Sequence, residues 1–551
     1  MSASAASDST GCNANRTFVA AAVALALVHA VLAWKVRSAG IGWTEDDAQY
    51  LGLARSLSTG SYREIWLIDA PLHARYPPLF PVLLAIAGEL GGWSFDRLVL
   101  VPIFLSAASV LAFLDAARRM VDRRIALFAA SVAALNPSGL SLSGSLMSEP
   151  LFGACIALTL WGLAREPDGR RFSALSILGA VLASLTRTAG LAVLAGVLTH
   201  MLVRRNPGRS VGLSLLALAI ILPWLVFSVR APNPEANRLY TADIRQFDPG
   251  SGESGDAWSR VATGAKRAAV GRVSRVRQLL VDKVPYVLAL PTVPKTSIDN
   301  LAWTLLLLAC GCVGWFSLWR VWRGAATVLA SYMALLIVWP YFLERFVVPI
   351  VPLMVLACGL GLCLIASRAA SQVKVFAIAL IAILVVGGQL IEAEQLVRAG
   401  RECDRQDRVN SPACLGERGR VFWAMAQWAR DSTPRGSVFL TPKEAAFFAS
   451  AQRTTVNQLV SLQVDPAEWV ASLRSRGVTH IAVAPLGANI SQLIARAERN
   501  CSQLLMQKEF PYLSAILKLR TEAEPGDGGA SCRLLERRLD AIERAVDPSH
   551  R

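Results

Sequence analysis

The chain has 551 residues, of which 54% are hydrophobic and only 17% charged, and its formal net charge is +16. A soluble protein cannot hide that much apolar surface, whereas a lipid bilayer solvates it. The basic charge falls largely in short arginine clusters between apolar runs and no nucleic-acid-binding motif accompanies it, so it reads as membrane topology and not as a nucleic-acid footprint.

In chain order, residues 1–16 form a polar tail and Thr17 to Val36 the first apolar run. No small-residue cleavage site clearly follows that run, so it reads as a retained signal-anchor helix. The next segment, 37–96, carries three adjacent acids, Glu45, Asp46 and Asp47. A short helical pattern closed by Gly60 follows them, and Tyr76-Pro77-Pro78 then forces an extended entry into another apolar run. That run, Pro78 to Leu90, has about a dozen residues, too few to cross ~30 Å of hydrocarbon, and is expected to lie beside the membrane or re-enter it.

With it set aside, apolar runs fall near 17–36, 97–117, 125–143, 149–164, 172–187, 188–203, 210–229, 300–319, 324–341, 346–367 and 373–392, which makes about eleven transmembrane helices. Alternate connections are basic, from Arg118-Arg119 and Arg123-Arg124 to Arg368 and Lys374. The opposite connections hold Glu45 to Asp47, Glu149, Arg187 and Glu344-Arg345. By the positive-inside rule the N-terminus is cytoplasmic and the C-terminal domain lies outside the plasma (inner) membrane. Residues 230–299 form a long outer loop. Its basic pattern (Arg260, Lys266, Arg267, Arg272, Arg275 and Arg277) suits either a helix lying on anionic membrane lipid or a solvated helix packed on the spans.

From about residue 393 the composition becomes that of a soluble domain. Strand-like runs at Ser437 to Leu440, Thr454 to Val460 and Val478 to Ala484 alternate with helical stretches, which indicates a small α/β domain with a few parallel strands. No phosphate-binding glycine fingerprint follows any strand. Cys403, Cys414, Cys501 and Cys532 lie in this outer domain, an oxidising location. Four cysteines allow three connectivities. The one with the shortest loops pairs Cys403 with Cys414 and Cys501 with Cys532. The fold class is therefore an α-helical polytopic membrane domain (17–392) with a small C-terminal extracytoplasmic α/β domain (393–551).

Several fragments of the first outer loop together form a recognisable series. They are Asp46-Asp47-Ala48-Gln49-Tyr50, Gly60-Ser61-Tyr62 and Tyr76-Pro77-Pro78-Leu79. This series resembles the GT-C superfamily of membrane glycosyltransferases that take a sugar from a polyprenyl-phosphate carrier, among them the protein O-mannosyltransferases and the aminoarabinose transferases. Glu149 in Leu146-Met147-Ser148-Glu149-Pro150 matches an acid before proline in those relatives. Arg345 in Arg345-Phe346-Val347-Val348-Pro349-Ile350-Val351-Pro352 matches a late Arg-aromatic-Pro signature, and Arg187 matches another basic position, with Thr188 standing where proline is common.

The resemblance implies an inverting glycosyltransferase with Asp46 as general base, Asp47 as its neighbour and Glu149 as a further catalytic acid. It implies Arg345 and Arg187 as binders of the carrier phosphate; His73, Arg75 and Tyr76, by their place in the loop closing the proposed cavity, are either contacts to sugar or phosphate or plain surface-loop residues. A carboxylate at a partly desolvated surface has a pKa raised toward a useful value, and an arginine fork stabilises a developing phosphate charge. The same residues also have plainer explanations, as helix-end charges and interfacial anchors. The implied partners are a polyprenyl-phosphate-linked sugar donor, membrane lipid and an acceptor that is a lipid, polysaccharide or protein. No cofactor is required, although Asp46 and Glu149 could share a divalent metal. The rival classes are a transporter or flippase and a non-catalytic subunit of a cell-envelope glycan assembly system.

Overall fold

The computed structural model describes residues 4–42, 44–166, 174–203, 207–231, 276–288, 297–339, 344–368, 370–405, 412–487, 489–520 and 528–546. Most of the outer-loop basic pattern, from Arg260 to Arg275, lies outside them. The chain divides into two compact units. One comprises residues 1–37, 74–83 and 96–398, and the other 38–73, 84–95 and 399–551.

The first unit is helical, and every one of the eleven apolar runs forms a helix. Among the described residues, six are long and apolar enough to cross a membrane: Asn15–Lys35, Phe95–Met120, Val211–Arg230, Ala302–Val321, Glu344–Ala366 and Ser371–Cys403. A seventh is a bent pair, Arg123–Leu135 and Pro137–Ser143, with a 57° break. The break falls at Asn136-Pro137, where proline cannot continue the hydrogen-bond ladder and the Asn136 carboxamide oxygen caps the new helix through Gly139 N–H at 2.8 Å.

The remaining four, Glu149–Leu163, Ala174–Thr186, Gly190–Val203 and Arg323–Val338, have 13 to 16 residues. At 1.5 Å per residue they rise only about 20–24 Å, short of a full ~30 Å crossing. Leu79–Gly91, the run set aside as too short, is a helix of 13 residues.

Small residues bring these helices together, as lipid-embedded packing requires. A Cβ on Gly314 would sit 1.7 Å from the Ala357 carbonyl, and one on Gly361 would sit 1.9 Å from that of Cys310. The helices Ser297–Val321 and Val351–Ala366 therefore cross with backbones touching. Buried polar groups add fixed points. His29 bonds the Ala134 carbonyl at 2.7 Å and the Ser106 hydroxyl at 2.9 Å. Asn136 and Gln389 hydrogen-bond each other and donate to the carbonyls of Val287 and Leu288.

The second unit is built on a five-stranded sheet, β1 (Phe439–Leu440), β2 (Thr455–Val456), β3 (His480–Val483), β4 (Leu504–Phe510) and β5 (Ser514–Leu519), in the order β2-β1-β3-β5-β4. The first three strands are mutually parallel, as their sequence pattern predicts. The antiparallel pair β4–β5 is an addition to that reading. Its connection, Pro511-Tyr512-Leu513, contains no glycine or asparagine, yet Tyr512 and Leu513 have φ of 61° and 50°. The buried Arg538 secures this turn by donating to the carbonyls of Tyr512 at 2.9 Å, Leu513 at 2.6 Å and Ala484 at 2.5 Å. Both expected disulfides, Cys403–Cys414 and Cys501–Cys532, are formed. Cys155, Cys310, Cys312, Cys358 and Cys363 are free.

Candidate functional site

Within the first unit, Glu149 opens the helix Glu149–Leu163, with Pro150 in its first turn. Proline is tolerated there because its missing N–H has no intrahelical partner, and an acid suits the helix's positive end. Arg187 terminates the Ala174–Thr186 helix, and Arg345 lies in the single turn Glu344–Phe346. Arg187 Nη1 lies 2.6 Å from Glu149 Oε1, and Arg345 Nε lies 3.7 Å from the same oxygen.

The Glu149 side chain is 2% exposed, that of Arg187 12% and that of Arg345 23%, so the pair opens progressively toward Arg345. Arg187 also donates to the Ser148 hydroxyl at 2.9 Å. Both guanidiniums lie over the Phe346 ring, at 5.1 Å and 5.4 Å from its centroid. The Tyr332 hydroxyl holds Phe346 in place through its carbonyl at 3.0 Å. One carboxylate against two guanidiniums leaves a local charge of +1. Such a site recognises an anion through the planar forks of arginine.

Sequence reasoning brought Glu149, Arg187 and Arg345 forward singly, and the structure joins them in one cluster. Ser148, Tyr332 and Phe346 were not singled out. Phe346 was legible as the aromatic neighbour of Arg345, whereas Tyr332 carried no local mark. Glu149 also lines a cavity with His29, Ser106, Ser109 and Asn136.

Within the second unit, the helix Asp46–Ser58 begins at the acidic turn. Asp46 is half-buried, and Asp47 is fully buried. Asp47 accepts from Gly42 N–H at 3.0 Å and from Ala48 N–H at 2.8 Å, so its carboxylate is spent on closing the turn. Burial still pushes its pKa up to about 6, against the two backbone bonds that lower it. Glu45 is half-buried, and its Oε1 accepts from Ala445 N–H at 3.0 Å. Burial, with the neighbouring Glu444 carboxyl as the second cause, pushes Glu45 up to about 8.

His73 is buried, with Nδ1 2.8 Å from Glu64 Oε1 and its ring edge-on to Tyr62 at 5.5 Å. Arg75 and Tyr76 belong to the first unit, where the guanidinium lies 5.5 Å from the ring centroid. Among the described residues, no group of three or more His, Cys, Asp or Glu side chains is arranged as a metal cluster.

Residues 75–227 match the family model described as dolichyl-phosphate-mannose-protein mannosyltransferase. No curated protein matches the chain by sequence. Among solved structures, ArnT from Cupriavidus metallidurans bound to undecaprenyl phosphate is similar, with 15% identity and a TM-score of 0.54, over 93% of this chain and 99% of that one. The archaeal oligosaccharyltransferase AglB from Archaeoglobus fulgidus, in complex with an inhibitory peptide and a dolichol-phosphate, is also similar. It shares 14% identity with a TM-score of 0.50, over 91% of this chain and 76% of that one. A segment of the chain that begins at the end of the first outer loop thus matches a mannosyltransferase family model, and the chain shares its fold with ArnT and AglB.

Proposed function

We propose that this protein transfers a sugar from a polyprenyl-phosphate carrier to an extracytoplasmic acceptor, with inversion at the anomeric carbon. The observation that carries this reading is the arginine pair, Arg187 and Arg345, gathered over the single buried carboxylate of Glu149. A polyprenyl-phosphate sugar is a phosphodiester with one negative charge. As the acceptor oxygen bonds to the anomeric carbon and the bond from that carbon to the phosphate oxygen breaks, the leaving monoester gains a second charge. A site already at +1 stabilises that gain more than it stabilises the ground state, which is the condition for catalysis. Glu149 has a positioning role, since it fixes both guanidiniums without cancelling them.

Asp46 takes the acceptor proton, and Asp47 orients the turn that carries it. No metal enters this scheme. Two disulfides in the C-terminal domain support an extracytoplasmic location, with the N-terminus in the cytoplasm and the protein in the plasma (inner) membrane.

The test is sugar transfer in membranes supplied with a labelled polyprenyl-phosphate sugar, comparing the unmodified protein with Asp46→Asn, Asp47→Asn and Glu149→Gln. Loss of transfer with Asp46→Asn in a folded protein supports the assignment. Undiminished transfer in all three variants refutes it, and carrier movement without transfer favours a flippase.

A further inference from the structure

The C-terminal domain is not needed to explain the chemistry above, yet the acidic turn rests on it at three separate points. The first is the Glu45 side chain, whose Oε1 accepts the Ala445 N–H at 3.0 Å, in the first turn of the helix Glu444–Ala451. The neighbouring Glu444 accepts Gln458 N–H at 2.8 Å, which fixes that helix to the next. The second point is Gly42. Its φ is +91°, and an added Cβ would lie 2.7 Å from Ala446 Cβ and 3.3 Å from Trp423. Only a residue without a side chain fits between the turn and this helix, and the same Gly42 N–H binds Asp47.

The third point is the free edge of the sheet. β2 is an outer strand, and residues 66–68 pair alongside it. Thr455 N–H donates to the Trp66 carbonyl at 2.8 Å, the Thr455 hydroxyl donates to the same oxygen at 2.8 Å, and Ile68 N–H donates to the Thr455 carbonyl at 3.0 Å. Main-chain bonds of this kind add a short strand to an open edge. Trp66, so anchored, is 4% exposed and packs against the acidic helix at Gly52, where a Cβ would meet its ring at 2.8 Å.

We propose that the C-terminal domain is the positioning element of the acidic turn. The helix Glu444–Ala451 holds the turn through Glu45 and Gly42, the edge of β2 holds the following helix through Trp66, and together they fix the Asp46 carboxylate. Glu45, Gly42 and Trp66 are positioning residues and do not touch the reacting atoms. The inference rests on the assignment of Asp46 as base, and its test separates the two ideas.

The experiment uses the full-length protein in lipid nanodiscs, with hydrogen exchange of residues 46–58 read beside kcat and KM for a labelled polyprenyl-phosphate sugar. Glu45→Ala is expected to raise exchange across 46–58 and lower kcat on the order of 10- to 100-fold, as small displacements of a catalytic group do. KM for the donor is expected to change by less than about twofold, as for a loss confined to the transition state. Glu45→Gln keeps the acceptor oxygen for Ala445 N–H and is expected to restore both exchange and kcat.

Protection retained in β3 and β5 shows that the domain is folded. If Glu45→Ala loses that protection, Gly42→Ala perturbs the same contact from the turn and carries the same expectations. Unchanged exchange and kcat in Glu45→Ala overturn the proposal, as does a Glu45→Gln variant as impaired as Glu45→Ala. Full transfer by Asp46→Asn overturns the base assignment alone, because the exchange result does not depend on it.

Discussion

Arg187 and Arg345 share one carboxylate but hold it differently, and truncating each has different consequences. Arg187 lies 2.6 Å from Glu149 Oε1 with a side chain 12% exposed. Removing it in Arg187→Ala leaves a carboxylate with 2% of its surface exposed facing, among the described residues, a guanidinium at 3.7 Å. Breaking a buried pair by deleting one partner costs about 3–5 kcal/mol. Arg345 is nearly a quarter exposed, and Arg345→Ala leaves the short Arg187 contact intact, so its stability cost falls in the surface range of about 0–1 kcal/mol. Toward the donor the two are alike. In the proposed function each guanidinium would supply a charge-assisted bond to phosphate worth about 1.5–3 kcal/mol, or roughly 10- to 150-fold in affinity. Thermal unfolding of purified variants with and without polyprenyl phosphate, together with donor titration, measures both quantities. The expected result is Arg187→Ala weakened in stability and donor binding, and Arg345→Ala weakened in donor binding alone. Equal destabilisation by the two, or unchanged donor affinity in either, refutes the shared-carboxylate argument.

The adjacent acids should separate in the same way. Asp46→Asn is expected to abolish transfer while exchange in 46–58 stays at its original level. Asp47→Asn leaves one buried N–H of the turn unpaired and is expected to destabilise it by about 1–3 kcal/mol, read as faster exchange. The acidic turn should also respond to pH. Asp47 and Glu45 are raised from 3.8 and 4.5 to about 6 and about 8, so their contribution to stability is full below pH ~4. It declines as pH rises through about 6 and then about 8. Intrinsic-rate-corrected exchange of residues 45–58 should therefore rise between pH 5 and 8 by way of these two groups, and Glu45→Gln should remove the upper part of the rise. For the disulfides, chain entropy over sequence separations of 11 and 31 residues gives about 3 and about 4 kcal/mol respectively. Cys501→Ser with Cys532→Ser should thus lower the unfolding temperature of the C-terminal domain more than Cys403→Ser with Cys414→Ser.

Much of the first unit was legible because lipid imposes one strong rule, that a spanning segment be a long apolar helix. The break between the runs 172–187 and 188–203 was legible as well, but the contact that fixes it was not. The break comes at Arg187, whose side chain is drawn to Glu149 and Ser148, which are 38 and 39 residues away in sequence. The parallel strands announced themselves as short apolar runs between helical stretches. The β4–β5 hairpin did not, because its turn has neither glycine nor asparagine at its positive-φ positions and relies on Arg538, 25 residues further along the chain. The cluster around Glu149 was legible as motifs but not as an ion pair. Likewise nothing local to Trp66 or Glu45 marks their partners, since backbone pairing at a sheet edge is independent of side-chain identity.

Those distant partners also set an order of events during synthesis. Glu45 and Trp66 emerge early, but the groups that seat them, Ala445 and Thr455, follow 400 and 389 residues later respectively. At 5–20 residues per second, that interval lasts about 20–80 s, a long time on the scale of helix and loop closure. Through all of it the spans can assemble while the proposed base remains unseated. On the proposed assignment the protein is therefore made in an idle form and acquires its working geometry only when the C-terminal domain folds.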